Sequence, residues 1–171
     1  MRVIAGEFRS RRLKSIPGET TRPTPDRLRE TLFDILAPRI EGATFIDAYA
    51  GTGAVGVEAL SRGASHVWFL ERNREAVEVI RENLASLGLE SRATVLTGAA
   101  MLTIARLQAD IVFLDPPYTL EREYESILGK IAEIRPPLAI VQHSSHFTLP
   151  DTIRPDRVVK QGDNVLSFFE S

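Results

Sequence analysis

The stretch Phe45-Ile46-Asp47-Ala48-Tyr49-Ala50-Gly51-Thr52-Gly53-Ala54-Val55-Gly56 constrains this 171-residue chain more than any other. An apolar strand-like run enters a GxGxxG loop, and the loop opens a helical segment that reaches about Arg62. Glycines at such a place allow a tight turn and let a ligand approach the backbone. The chain beyond repeats the alternation. Strands are predicted over Thr44–Ala48, His66–Glu71, Ala93–Thr97, 110–114 and 138–142. Helices are predicted over 73–87, 101–107 and 124–134, with Gly88 stopping the first of these. Val77, Ile80, Leu84 and Leu87 form its apolar stripe. Apolar strand runs without two-residue alternation point to a mostly parallel α/β sheet covered on both faces. The segments 157–160 and 165–170, with no helix between them, predict a closing antiparallel hairpin at one edge.

In open sheets of this kind, ligands bind beyond the carboxyl ends of the strands, at the switch point. Glu71 ends the next strand, twenty residues after Gly51. A carboxylate there can accept hydrogen bonds from two ribose hydroxyls. Two ligands fit: a dinucleotide such as NAD, or S-adenosylmethionine. Asp47, four residues ahead of Gly51, favours the second. An acid aimed into the loop repels pyrophosphate but suits the ammonium of a methionine moiety, directly or through water. Asp47, Ala50, Gly51, Gly53, Glu71 and Arg72 are therefore the candidate cofactor residues, Arg72 being either a rim contact or a surface residue. A glycine turn that merely packs is the alternative.

A second motif, Asp115-Pro116-Pro117-Tyr118, follows the 110–114 strand and should open at the same mouth. An exocyclic base amine is a poor nucleophile because its lone pair is delocalised into the ring. Asp115 can accept one amine N–H, and the Pro116 carbonyl, stiffened by two consecutive rings, can accept the other. Accepting both returns electron density to nitrogen and aims its lone pair. Tyr118 can stack on the base face. Asp115, Pro116, Pro117 and Tyr118 are the candidate catalytic residues. A capped Pro-Pro turn is the plain structural alternative.

Residues 1–30 carry eight Lys/Arg against four acids, leaving a balance of −6 for the remainder. The segment 2–16 reads as a short strand or hairpin. Thr24 can cap a helix that starts at Pro25, runs over 25–36 with Leu28, Leu32, Ile35 and Leu36 on one face, and ends at Pro38. A basic arm on an acidic body is a candidate nucleic-acid contact, through Arg9, Arg11, Arg12, Lys14 and Arg22. The division expected is a basic arm and helix over 1–40 and one compact catalytic unit over 41–171. The chain has no cysteine, which excludes disulfides, thiol nucleophiles and Cys-ligated zinc. His143 and His146 lack a third metal ligand and are expected at the surface or substrate rim; no metal is expected. With no membrane-length apolar run and no signal-peptide pattern, a soluble cytoplasmic protein is expected, as a monomer.

Taken together, these residues resemble the bacterial 16S ribosomal RNA guanine-N2 methyltransferase D family. The likeness spans nearly the whole chain. It includes Arg2-Val3-Ile4-Ala5-Gly6, the basic stretch to Leu13, Arg22-Pro23-Thr24-Pro25-Asp26-Arg27, Asp47 to Leu60, Glu71-Arg72 and Asp115 to Tyr118. The resemblance implies a Rossmann-like class I methyltransferase fold with seven strands, and S-adenosylmethionine as cofactor. It also implies methylation of guanine N2 in 16S rRNA of the small ribosomal subunit, at guanine 966 in the family. Two departures stand out. Ala99 occupies the place of the acid that usually holds the adenine amine, and Gln161-Gly162-Asp163-Asn164 replaces a Tyr-Gly-x-Thr hairpin. Other readings remain open at this point: an amine methyltransferase on DNA adenine or protein glutamine, a nicotinamide oxidoreductase, or a non-catalytic RNA- or cofactor-binding assembly factor.

Overall fold

In the computed structural model, which describes residues 1–18, 24–117 and 121–171, strands and helices alternate along the chain. They are α1 (Asp26–Ile40), β1 (Thr44–Ala48), α2 (Ala54–Ser61), β2 (His66–Glu71), α3 (Arg74–Leu87), β3 (Ala93–Thr97), α4 (Ala100–Thr103), β4 (Ile111–Leu114), α5 (Glu121–Ile134), β5 (Leu138–Ser144), β6 (Arg157–Gln161) and β7 (Asn164–Glu170). One seven-stranded sheet results, in the order β3-β2-β1-β4-β5-β7-β6. β1 pairs in parallel with both β2 and β4, and β4 with β5. The hairpin closes the sheet by inserting β7 antiparallel against β5, with β6 outside it. From β1 the chain winds out to β3, then returns to β4 on the other side. The switch point therefore lies between the carboxyl ends of β1 and β4.

The apolar runs are continuous because both sheet faces are buried. Phe45, Ile111, Phe113, Leu138 and Ile140 point to one core, with Leu60 of α2 and Ile80 and Leu84 of α3. Their neighbours Ile46, Val112, Leu114, Ala139 and Val141 point to the other, with Ile127 and Ile131 of α5. Val3 and Leu13 of the arm join the first core, as do Leu28, Leu32, Phe33 and Leu36 of α1. The arm doubles back as a short antiparallel hairpin, with Val3 N donating to Arg11 O, Ser10 N to Val3 O and Leu13 N to Met1 O around the Arg2–Arg12 bridge.

Two local expectations need correction. Pro38 lies inside α1, which continues to Ile40. The proline removes a single N–H from the last turn, while Ile40 two residues further is buried, so continuing the helix costs little. Thr24 does not cap α1; Pro25 holds the cap position without a side-chain bond, and the Thr24 hydroxyl turns elsewhere. By contrast, Gly88 ends α3 as expected, left-handed at φ 66°, and the helix starts one residue late because Asn73 caps it, its Oδ1 accepting from Ala76 N.

Gly56 shows how tightly the glycine loop seats on the sheet. A Cβ there would lie 2.3 Å from Cε1 and 2.7 Å from Cζ of Phe69, a fully buried ring. Gly56→Ala is expected to lose about 1–3 kcal/mol by overpacking, more than alanine's helix propensity returns. A urea midpoint equal to that of the parent protein would refute this.

Candidate active site

Each candidate side chain stands at the carboxyl end of a strand. Asp47 is the penultimate residue of β1, Glu71 is the last of β2, and Asp115 follows β4 directly. Between β1 and α2 the backbone turns through the left-handed region at Tyr49 (φ 64°), Gly51 (φ 58°) and Gly53 (φ 83°). For tyrosine this conformation is strained, a feature that concentrates at functional sites. The loop is pinned from three sides. Asp47 Oδ2 accepts from Gly56 N at 2.9 Å. Glu71 Oε2 accepts from Gly51 N at 2.8 Å, while its Oε1 accepts from Asn73 N at 2.9 Å. Asn83 Nδ2 donates to the Thr52 carbonyl at 3.1 Å.

The electrostatics of this mouth are one-sided. Asp47 is 1% exposed, and its carboxyl is held well above the usual range, first by burial and further by the charges of Asp115 and Glu71. The Gly56 N–H opposes that rise. Burial likewise pushes Asp115 up to about 7, against a lowering hydrogen bond from Thr24. That bond is long: Thr24 Oγ1 donates to Asp115 Oδ2 at 3.5 Å. Three carboxylates thus converge at one end of the sheet, close enough for two of them to disturb the third. A cation bound among them would relieve the repulsion, whereas a pyrophosphate would add to it.

The rest of the second motif is partly visible. Pro116 is buried and Pro117 exposed, while Tyr118 lies outside the described residues. Just beyond, Tyr49 Oη donates to Glu123 in the first turn of α5. This ties the glycine loop to the helix that follows the Asp-Pro-Pro segment. Burial, then the Glu123 carboxylate, raises the Tyr49 phenol. Arg72 is exposed at the rim, near enough for its charge to reach Tyr49. Ala99, at the head of α4, is exposed, and Leu102 beside it is 76% exposed.

Of the arm cations, Arg9, Arg11, Arg12 and Lys14 are all exposed. Arg11 Nη2 donates to the Ser86 carbonyl at 3.1 Å, and Lys14 Nζ pairs with Glu82 at 2.6 Å. Arg22 lies outside the described residues. The expected surface or rim placement holds for His146, but His143 is only 4% exposed. Its Nε2 meets Ser167 Oγ at 2.8 Å and its Nδ1 the Ser144 carbonyl at 2.9 Å. Burial lowers its pKa, as suits a neutral ring inside the sheet. Among the described residues no cluster of His, Cys, Asp or Glu could hold a metal ion, and no helix is long and apolar enough to cross a membrane.

Sequence reasoning did not single out Thr24 as a partner of Asp115, Tyr49 as a partner of Glu123, or the polar anchors Arg29, Glu58 and Asn83. Asn83 is 1% exposed, and its amide holds both Lys14 N and the Lys14 carbonyl, so one side chain joins arm and glycine loop. The signal for it was a polar residue in phase with the apolar stripe of α3.

Comparison with known proteins places this arrangement. Residues 1–170 match the family model described as conserved hypothetical protein 95. The Bacillus subtilis protein YlbH, provisionally named an rRNA methyltransferase, is 34% identical over 162 residues, covering 90% of this chain and 88% of YlbH. The ribosomal RNA small subunit methyltransferase D of Escherichia coli (strain K12) is 42% identical over 120 residues, covering 69% of this chain and 60% of that protein. The chain belongs to the methyltransferase D family. A solved Escherichia coli structure, the provisionally named methyltransferase YhhF, superposes with a TM-score of 0.84 at 33% identity, covering 99% of this chain and 97% of its own. The fold is accordingly that of the class I methyltransferases. The family match runs from the arm through the hairpin, so both walls of the mouth are inside it.

Proposed function

We propose that this member of the methyltransferase D family transfers a methyl group from S-adenosylmethionine to the exocyclic N2 amine of a guanine in 16S rRNA of the small ribosomal subunit. The convergence of Asp47, Glu71 and Asp115 carries this reading, because it favours a cationic ligand over a dinucleotide. The family's named rRNA methyltransferases support the substrate class.

S-adenosylmethionine supplies a methyl group on a positively charged sulfur that departs as a neutral thioether. The chain's own residues do the rest. Glu71 holds the ribose hydroxyls; its carboxylate has lone pairs beyond the two given to Gly51 and Asn73. Asp47 favours the methionine ammonium from beneath the loop, and Ala50, Gly51 and Gly53 let the ligand lie against the backbone, with Arg72 at the rim. Asp115 and the Pro116 carbonyl each accept one N–H of the base amine, and Pro117 stiffens that carbonyl. Tyr118 is assigned to stacking on the base from the sequence. As the nitrogen lone pair forms the new N–C bond, the amine must shed a proton. A carboxyl poised at about 7 is matched to take it.

The test is methyl transfer from labelled S-adenosylmethionine to small ribosomal subunits lacking the modification, followed by nuclease digestion and mass identification. N2-methylguanosine is the expected product. Absence of transfer with cofactor binding intact would overturn the guanine assignment and point to another amine.

A further inference from the structure

The acidic mouth poses a problem for an RNA substrate. Three carboxylates that welcome a cationic cofactor repel the phosphates on either side of the target base. The backbone needs a separate, cationic path. The arm offers one such path, since Arg9, Arg11, Arg12 and Lys14 are all exposed, Lys14 beside Glu82.

A groove of ≈ 470 Å³ beside the mouth offers a second. It runs between Pro25 and Arg27 at the start of α1 and Lys160, Gln161, Gly162 and Asn164 of the β6–β7 turn. Its position is set by the fold. Asn164 pairs with Ser144 at the carboxyl end of β5, which puts the turn on the mouth side of the sheet. Pro25 follows Thr24, whose hydroxyl reaches Asp115. The walls are fixed to each other, since Gln161 Nε2 donates to Thr31 Oγ1 of α1. Arg27 and Lys160 are both exposed, and among the described residues no acid lines the groove. Nearby Asp26 turns its carboxylate onto Arg29 at 3.2 Å, and Asp163 at the turn tip is not part of the lining.

We propose that this groove holds the sugar-phosphate backbone of the RNA next to the target base, with Arg27 and Lys160 each neutralising one phosphate. The inference rests on RNA being the substrate. Gln161 and Asn164 make the groove wall polar, in the hairpin that departs from the family's usual sequence.

The experiment is filter binding of unmodified small ribosomal subunits at fixed magnesium, over a salt range of about 50–200 mM. Parent protein is compared with Arg27→Gln/Lys160→Gln and with Lys160→Arg. Each neutralised phosphate contributes roughly 0.7–0.9 to the slope of log affinity against log salt, so the double variant should lose about 1.4–1.8 in slope and on the order of tenfold in affinity. Lys160→Arg should keep both. Both replaced side chains are exposed, and an unchanged melting midpoint will confirm that the fold is intact. An unchanged slope overturns the groove, as does failure of the parent protein to bind the subunits. A reduced slope without methyl transfer by the parent protein supports the groove and overturns the methylation reading instead.

Discussion

Asp115→Asn is expected to lower the methyl-transfer rate by about 10²–10³-fold while making the folded protein more heat-stable above neutral pH. The rate effect follows from geometry and charge. Asparagine keeps the shape of the side chain, but its neutral oxygen is a weaker acceptor for the amine N–H. It also cannot take the departing proton, and loss of one such preorganised group costs on this scale. Cofactor affinity should fall by less than tenfold, because Asp47 and Glu71 remain. Full activity in Asp115→Asn would sink the role assigned to this carboxylate.

The stability effect has a sign that pH can check. A carboxyl near 3.9 in the unfolded chain stands at about 7 in the folded one. Between these values the folded chain binds more protons than the unfolded chain, so this group's contribution to stability falls as pH rises through the window. Above about 7 both states are ionised and the full penalty of burying the charge is present. Asp115→Asn removes that penalty. Its melting midpoint should exceed the parent's at pH 8, by at least roughly 2–4 °C for each 1 kcal/mol recovered, and converge with it near pH 4. The parent's transfer rate should fall as pH drops below about 7, since the acceptor must be ionised. A bound cofactor cation beside Asp115 will pull that midpoint lower. An enzyme that gives up stability for a partly buried, poised carboxyl is what a site shaped by function predicts.

Much of this is legible in the sequence. The strands β1 to β5 could be read because burial on both faces writes uninterrupted apolar runs. The mouth could be read because strand ends, not distant contacts, position Asp47, Glu71 and Asp115. Misreadings arose where tertiary packing overrode a local rule. Pro38 looks like a stop until Ile40 is seen to be buried, and Thr24 looks like a cap until Asp115 is seen to attract its hydroxyl. The anchors were illegible for a different reason: their partners are far away in the chain. Nothing local ties Glu58 to the amides of Ile4 and Ala5 or Asn83 to Lys14. A clue did exist in phase. Arg29 shares the apolar face of Phe33, Leu36 and Ile40, and Glu58 sits between Val57 and Ala59 in a fully buried helix. Charged residues at core positions have partners, since unpaired burial is too costly.

That same logic makes Glu58→Ala the most damaging single substitution expected away from the mouth. Glu58 is 1% exposed and Arg29 is fully buried. The carboxylate accepts from Ile4 N at 2.8 Å and Ala5 N at 3.2 Å, and it faces Arg29 at 3.6 Å and Arg62 at 3.5 Å. Burial already lowers the Arg29 guanidinium's pKa, and Glu58 is the largest influence opposing this, while Arg62 adds to the lowering. Without Glu58, two guanidinium groups face each other without their shared counter-charge and two amides lose their acceptor. Removing one partner of a buried pair costs about 3–5 kcal/mol, which for this chain length is a fall in melting midpoint on the order of 10 °C. Replacing the pair together, as Arg29→Met/Glu58→Leu, should cost less than Glu58→Ala, because the desolvation of both charges goes with their attraction, while the amides of Ile4 and Ala5 still lose their acceptor. Hydrogen exchange separates this anchoring role from general fragility. In Glu58→Gln the amides of Ile4 and Ala5 should lose protection first, while those of β1 and β4 keep theirs. Unchanged protection at Ile4 and Ala5, with an unchanged melting midpoint in Glu58→Ala, would show that the arm is held by apolar contacts of Val3 and Leu13 alone. The released arm carries the cations Arg2, Arg9, Arg11 and Arg12 away with it. Subunit binding should then fall in Glu58→Gln, and cofactor binding should not, because the glycine loop keeps its own ties to Asp47 and Glu71.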